Sequence, residues 1–245
     1  MTMKIFFTFT VIVISLLASS GAVSGDNLDM QRQDMVSSIR EMVHDTREFT
    51  GKAELSDQVY AAMEKVPRHE FVPADMKLHA YLNSPLPIGH DQTISQPYIV
   101  ALMTDLAHVD KDSIVLEVGT GSGYQAAVLA ELVRHVYTIE IVEALGISAR
   151  TNLRRLGYDN VTVRIGDGYH GWEEHAPFDA ILVTAAAERI PAPLLAQLRP
   201  GARLVIPIGR AFSTQALTLV EKKADGSIVQ REILPVGFVP LTGEH

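Results

Sequence analysis

Cysteine is absent from the 245-residue chain, which excludes disulfides, thiolate nucleophiles, Cys-ligated zinc and lipid attachment through sulfur. Positive charge is scarce as well. Lys and Arg number 21 against 29 Asp and Glu, a formal charge of −8. No stretch is basic enough to grip phosphates, which argues against a nucleic-acid partner. Hydrolase and metal signatures are missing too. There is no Gly-x-Ser-x-Gly elbow, because Thr120 stands two positions before Ser122. The nine histidines include no His-Glu-x-x-His pair. His135, His170 and His175 read as surface or packing residues, and no metal site is expected.

One long apolar run exists. Lys4 precedes Ile5 to Ala18, and small residues follow as far as Gly25. A positive start, an apolar centre and a small-residue tail describe a secretory signal peptide. It is expected over residues 1–24, with Ser20 and Ala22, or Ala22 and Ser24, meeting the small-residue cleavage rule. The run is shorter than the ~20 residues a spanning helix needs, so no membrane association is expected after cleavage. The expected location is periplasmic or secreted, with a cytoplasmic protein as the alternative.

The composition, 47% hydrophobic and 20% charged, suits a globular chain with a sizeable core. Ile114, Val115, Leu116 and Val118 form a short apolar run of the kind found in parallel strands covered on both faces. Glycines 119, 121 and 123 break it, and Ala126, Ala127, Leu129, Ala130, Leu132 and Val133 then recur at helical spacing. A strand, a glycine-rich turn and a helix make the first half of a nucleotide-binding βαβ unit. A dinucleotide fingerprint needs glycine at its sixth position, which here is Tyr124. Glu140 closes the next strand 21 positions after Gly119, where an acid accepts hydrogen bonds from ribose hydroxyls. The pattern points to an adenosine-containing ligand without a pyrophosphate.

Ahead of this unit, helices are expected from about Leu28 to Phe49, and from an N-cap at Ser56 to Val66 before Pro67. Tyr81 to Pro97 holds Pro85, Pro87 and Gly89 and reads as a long irregular loop, a frequent place for function. Pro97 suits the first turn of a helix. Further on, strands at Val161–Ile165, Phe178–Val183 and Leu204–Ile208 alternate with helices at about 142–156 and 191–198. Asp225-Gly226 marks a hairpin between Ala216–Val220 and Ile228–Val239. The expected fold is α/β. A doubly wound, mostly parallel, Rossmann-like sheet spans residues 113–245 with an antiparallel C-terminal edge, and N-terminal helices with a substrate loop span 25–112. Ligands bind outside the carboxyl ends of such strands, where Gly119, Gly121, Gly123, Glu140, Asp167 and Thr184 fall. Gly166-Asp167-Gly168 also suits a plain turn; beside the other sites on that edge, Asp167 is read as an acceptor for an adenine amino group.

Four segments, Gln92-Thr93-Ile94-Ser95-Gln96-Pro97, Val115 to Tyr124, Gly166-Asp167-Gly168 and Phe238-Val239-Pro240-Leu241, resemble the protein-L-isoaspartate O-methyltransferase family. The likeness runs from about Pro67 to Thr242. Its glycine motif is shared by many methyltransferases, whereas the Thr-Ile-Ser-Gln-Pro loop is far more specific. The resemblance implies a class I methyltransferase fold with S-adenosyl-L-methionine as cofactor. It implies methylation of the free α-carboxylate of L-isoaspartyl residues in damaged proteins and peptides, the ester then closing to a succinimide that opens partly to aspartate. Ser95 would be the catalytic residue, while Thr93, Ile94, Ser95, Glu117, Gly119, Gly121, Gly123, Glu140, Asp167, Gly168 and Thr242 would line the cofactor site. Thr184 joins them by its place on the sheet edge, and a monomer is expected. Two departures stand out: bacterial members commonly carry arginine where Gly237 stands, and this repair usually takes place in the cytosol.

The chemistry agrees with these residues. A carboxylate is ionised at neutral pH and needs no general base. Positioning remains, which can supply up to roughly 7–11 kcal/mol. Ser95 would donate a hydrogen bond that orients the acceptor; the competing reading is a helix cap two residues before Pro97. Two other functions share the pattern. One is an NAD-dependent oxidoreductase, disfavoured by Tyr124; the other is an exported protein that binds peptide or adenosine ligands without turnover.

Overall fold

The computed structural model describes residues 25–243, so the expected signal peptide lies outside the described residues. Helix α1 (Gly25–Asp45) buries Met35, Val36, Ile39 and Val43, which recur at helical spacing on one face. A break at Thr46 separates it from the single turn α2 (Arg47–Thr50), so the expected first helix is two. In α3 (Asp57–Lys65), Ser56 takes the N-cap position but makes no side-chain cap hydrogen bond. No described helix is long and apolar enough to cross a membrane.

The breaker-rich stretch differs from expectation. It holds an antiparallel ribbon of β1 (Leu86–Gly89) and β2 (Gln92–Ile94), pairing Leu86 with Ile94 and Pro87 with Thr93. Gly89, His90 and Asp91 all take positive φ at its turn. In a two-stranded ribbon each strand is an edge, and an edge tolerates a proline that cannot donate to the ladder. Helix α4 (Pro97–Ala107) follows with proline in its first turn, as expected.

The central sheet has seven strands. Chain order runs β3 (Ile114–Val118), α5 (Tyr124–Ala130), β4 (His135–Glu140), α6 (Glu143–Arg155), β5 (Val161–Ile165), β6 (Phe178–Val183), α7 (Ala192–Gln197) and β7 (Leu198–Ile208). The hairpin of β8 (Gln215–Lys222) and β9 (Ile228–Val236) ends it, with Asp225-Gly226 in the turn. Spatial order is β5-β4-β3-β6-β7-β8-β9, parallel through β7 and antiparallel thereafter. Side chains alternate between two cores, as strand geometry requires. Val115, Ala180, Leu182 and Val205 join the helices on one face, while Leu116, Val118, Ile181 and Val183 pack around Phe178 on the other. Helix α4 lies between the sheet and α1, and apart from Thr104 and Asp105 its residues are apolar and buried. The chain steps from β3 outward to β5, then returns to β6 on the opposite flank of β3. That reversal opens a crevice at the carboxyl ends of β3 and β6.

Candidate active site

The crevice is built on glycine. Gly119 leaves β3 with φ +97, and a Cβ there would sit 2.4 Å from the Thr184 hydroxyl oxygen. Both the conformation and the contact demand a residue without a side chain. Thr184, first after β6, donates its N–H to the Val118 carbonyl at 2.9 Å and its hydroxyl to the Gly119 carbonyl at 2.7 Å. These bonds lace the two loops together at the point of reversal. Gly123 serves packing instead. A Cβ there would press on Leu153 at 3.1 Å, so the glycine seats α5 against α6.

Glu140 ends β4 and is buried. One carboxylate oxygen accepts the Gly121 N–H at 2.7 Å and the other the Val142 N–H at 2.8 Å. A carboxylate oxygen accepts more than one bond, so the pair can still take up ligand hydroxyls. Glu117 lies deeper, fully buried beside β4. Thr138 donates to it at 2.5 Å, and the Thr138 and Thr120 hydroxyls are 2.6 Å apart. Burial pushes the Glu117 carboxyl up to about 8 against that hydrogen bond, and Glu140 pushes it the same way. At neutral pH the carboxyl therefore holds its proton for the most part.

The C-terminal tail closes the crevice. Ala186 donates its N–H to the Val239 carbonyl at 2.8 Å, and Leu241 returns an N–H to the Ala186 carbonyl at 2.7 Å. This parallel bridge brings Thr242 to the cleft. Thr93, Ile94, Ser95, Gly119, Gly121, Glu140, Gly168, Thr184 and Thr242 all line one cavity. The space around it, mouth included, is about 760 Å³. Three residues named from the sequence are not in that lining: Glu117 beneath it, Gly123 behind it, and Asp167. The Asp167 carboxylate accepts the Tyr169 N–H at 2.9 Å and lies against Gly243 of the tail. Sequence reasoning missed Ile141 and Val142 next to Glu140 and Ala185 next to Thr184. Their signal was available, since each follows the carboxyl end of a parallel strand.

A second groove adjoins the first and shares Thr93, Ser95, Thr184 and Val239 with it. Among the described residues no charged side chain lines it. Gly237 lies on its wall, where a Cβ would meet nothing within 4 Å. Ser95, half-buried, belongs to the wall between the two spaces. Position N-cap of α4 is held by Gln96 without a side-chain cap bond. Among the described residues no hydrogen bond to the Ser95 hydroxyl is found, so it caps nothing; its backbone carbonyl instead accepts from Arg68 at 2.8 Å.

Residues 39–245 match the family model for protein-L-isoaspartate(D-aspartate) O-methyltransferase. A protein-L-isoaspartate O-methyltransferase 2 of Polaromonas sp. strain JS666 is 67% identical over 211 residues, covering 86% of this chain and all of that protein. One from Syntrophobacter fumaroxidans is 59% identical and covers 97% of each. Among solved structures, a protein-L-isoaspartate O-methyltransferase superposes with a TM-score of 0.74 at 30% identity, over 86% of this chain and 66% of that one. A Plasmodium falciparum chain described as the same enzyme, in complex with S-adenosyl-L-homocysteine, gives 0.68 at 28% identity, over 84% and 97%.

Two measurements test this geometry. Hydrogen bonds to a charged group contribute about 1.5–3 kcal/mol each. Glu140→Ala is therefore expected to weaken S-adenosyl-L-homocysteine binding at least about tenfold by calorimetry; a folded variant with unchanged affinity would remove Glu140 from the site. The second concerns Glu117. Its folded carboxyl, at about 8, keeps a proton that an unfolded glutamate with its ordinary value of 4.5 has released. Stability therefore falls as pH rises through that interval. Glu117→Gln, neutral throughout, should flatten the decline in thermal melts taken between pH ~5 and ~9. Parallel profiles would mean that the buried carboxyl is ionised.

Proposed function

The chain belongs to the protein-L-isoaspartate(D-aspartate) O-methyltransferase family, and from that premise we propose how its two adjoining cavities divide the reaction. It is a protein-L-isoaspartate O-methyltransferase with S-adenosyl-L-methionine as cofactor. Methylation of the isoaspartyl α-carboxylate starts repair by way of a succinimide. An oxidoreductase reading has no remaining support.

The cavity under the glycine turn fits the cofactor. Glu140 presents two carboxylate oxygens to ribose hydroxyls, and Gly119 and Gly121 leave backbone bare for close approach. When bound, S-adenosyl-L-methionine supplies the electrophilic methyl group. The uncharged groove on the other side of Ser95 receives the isoaspartyl segment. Ser95 donates its hydroxyl to one oxygen of the acceptor carboxylate and turns the other toward the cofactor cavity. No side chain removes a proton, since the acceptor is already an anion. What the protein contributes is orientation. The observation that carries this division is the shared wall of Thr93, Ser95, Thr184 and Val239. The apolar sequence run Ile5 to Ala18 behind Lys4 supports a second proposal, that the enzyme acts outside the cytoplasm.

Ser95→Ala decides the first proposal. Loss of one hydrogen bond to a charged group corresponds to roughly a ten- to hundredfold fall, expected in kcat and kcat/KM together for isoaspartyl peptides. Melting temperature and S-adenosyl-L-homocysteine affinity should hold. A lowered melt with full turnover would make Ser95 a packing residue. For export, expression in a Gram-negative host should yield periplasmic protein shorter by about two dozen residues; intact chain in the cytosol would refute it.

A further inference from the structure

Arg68 is among the largest fully buried side chains of the described residues, with 0% of its surface exposed. Its Nε donates to the Ala80 carbonyl at 2.8 Å, and its Nη2 donates to the Ser95 carbonyl at 2.8 Å and the Ser84 carbonyl at 3.4 Å. The guanidinium carbon lies 4.7 Å from the centre of the Tyr124 ring. No carboxylate pairs with it among the described residues; Nη1 reaches no hydrogen-bond partner within bonding geometry there, and the Tyr124 side chain is the first neighbour that offsets the cost of its burial. A buried cation without an anion is costly, and apolar side chains of similar volume commonly serve stability better. What the cation does make is a link. Ala80 and Ser84 precede the β1–β2 ribbon and Ser95 follows it, so one fork grips both ends of the segment that carries Thr93, Ile94 and Ser95. Its other side rests on Tyr124, the residue that follows Gly123 in the glycine turn.

We propose that Arg68 is a positioning residue for the acceptor: it clamps the Ser95 carbonyl, with Tyr124 as its platform, so that the Ser95 hydroxyl is held in register with the glycine turn. The proposal rests on the reading of Ser95 as the donor that orients the acceptor carboxylate. Arg68 touches neither cavity; it acts through the backbone of Ser95. A lysine can reach one carbonyl, but it lacks the planar fork that spans two at once. Arg68→Lys thus keeps the charge and loosens the clamp.

The test is a kinetic cycle of Arg68→Lys, Ser95→Ala and the double variant, with isoaspartyl peptide and S-adenosyl-L-methionine. Arg68→Lys is expected to lower kcat about tenfold or more, since small misplacements of reacting groups are expensive, while S-adenosyl-L-homocysteine affinity stays within about twofold. In the double variant the two losses should not multiply, and its kcat should match that of Ser95→Ala alone. A role confined to stability would move the melting temperature and leave kcat of the folded protein intact, which would overturn the proposal. Multiplying losses would overturn it as well. If Ser95→Ala itself is silent, the reading of Ser95 fails, and the clamp fails with it; a silent Arg68→Lys beside an impaired Ser95→Ala sinks the clamp alone. Should Arg68→Lys not fold, Tyr124→Leu removes the platform instead and enters the same cycle: non-multiplying losses support the clamp, and an intact kcat overturns it.

Discussion

Everything at the carboxyl edge of the sheet depends on how closely β3 and β6 can leave it side by side. Gly119 and Thr184 are the first residues beyond those strands, and a single methyl on Gly119 would collide with the Thr184 hydroxyl at 2.4 Å. With that contact satisfied, Thr184 can bond the Val118 and Gly119 carbonyls. The glycine turn then curls toward Glu140, whose carboxylate takes the Gly121 N–H. Beyond Thr184 the alanines 185–187 hold no bulk, so the C-terminal tail can add its parallel bridge at Ala186 and cover the cavity. A larger residue at either partner would push apart the two loops on which both cavities are hung.

Much of this was legible. Gly119, Gly121, Glu140 and Thr184 are local features of strand ends, and strand ends are visible as the close of apolar, β-branched runs. The hairpin of β8 and β9 was equally plain from Asp225-Gly226. The β1–β2 ribbon was not. Pro85, Pro87 and Gly89 speak against a strand by local chemistry, and only the isolation of the ribbon, with each strand an edge, makes Pro87 tolerable. Glu117 and Asp167 show another limit. Their positions at or just past strand ends were readable, but whether the side chain faces the cavity depends on the register of β3 for Glu117 and on the turn after β5 for Asp167. Glu117 pairs with Thr138 and Leu182 across the sheet and faces inward.

Arg68 was the least legible of all. A basic residue between Pro67 and His69, near the start of a turn, reads as solvent-exposed, because arginine is almost never fully buried without a partner. Its partners are carbonyls 12 to 27 positions away and an aromatic ring, none of which leaves a periodic trace. Tyr124 was read from the sequence as the residue that spoils a dinucleotide fingerprint and as the end of the Val115–Tyr124 segment. In the fold it fills space with purpose: fully buried, it faces Arg68 on one side and Phe71 at 5.6 Å edge-on. Glycine at this position would leave the guanidinium with no ring to rest on.

The uncharged groove has its own logic. On the proposed division of the two cavities, its occupant arrives as a carboxylate and leaves as a neutral ester, so charge on the acceptor is lost as the transition state is approached. A fixed cation beside that carboxylate would hold the starting anion more strongly than the transition state, and binding spent in that way does not raise kcat. Neutral donors avoid the penalty. A serine hydroxyl orients one oxygen with a single bond and leaves the electron density of the other to react. Arg68, the buried cation bonded to the Ser95 backbone, directs its hydrogen bonds to carbonyls rather than to the groove. Gly237 is consistent with the same economy: where an arginine side chain could project, the wall stays open and uncharged. With the chain as a whole acidic, at −8, long-range attraction does little to recruit an anionic segment. Recognition then falls to short-range contacts along the groove, which act only once the isoaspartyl residue is in place.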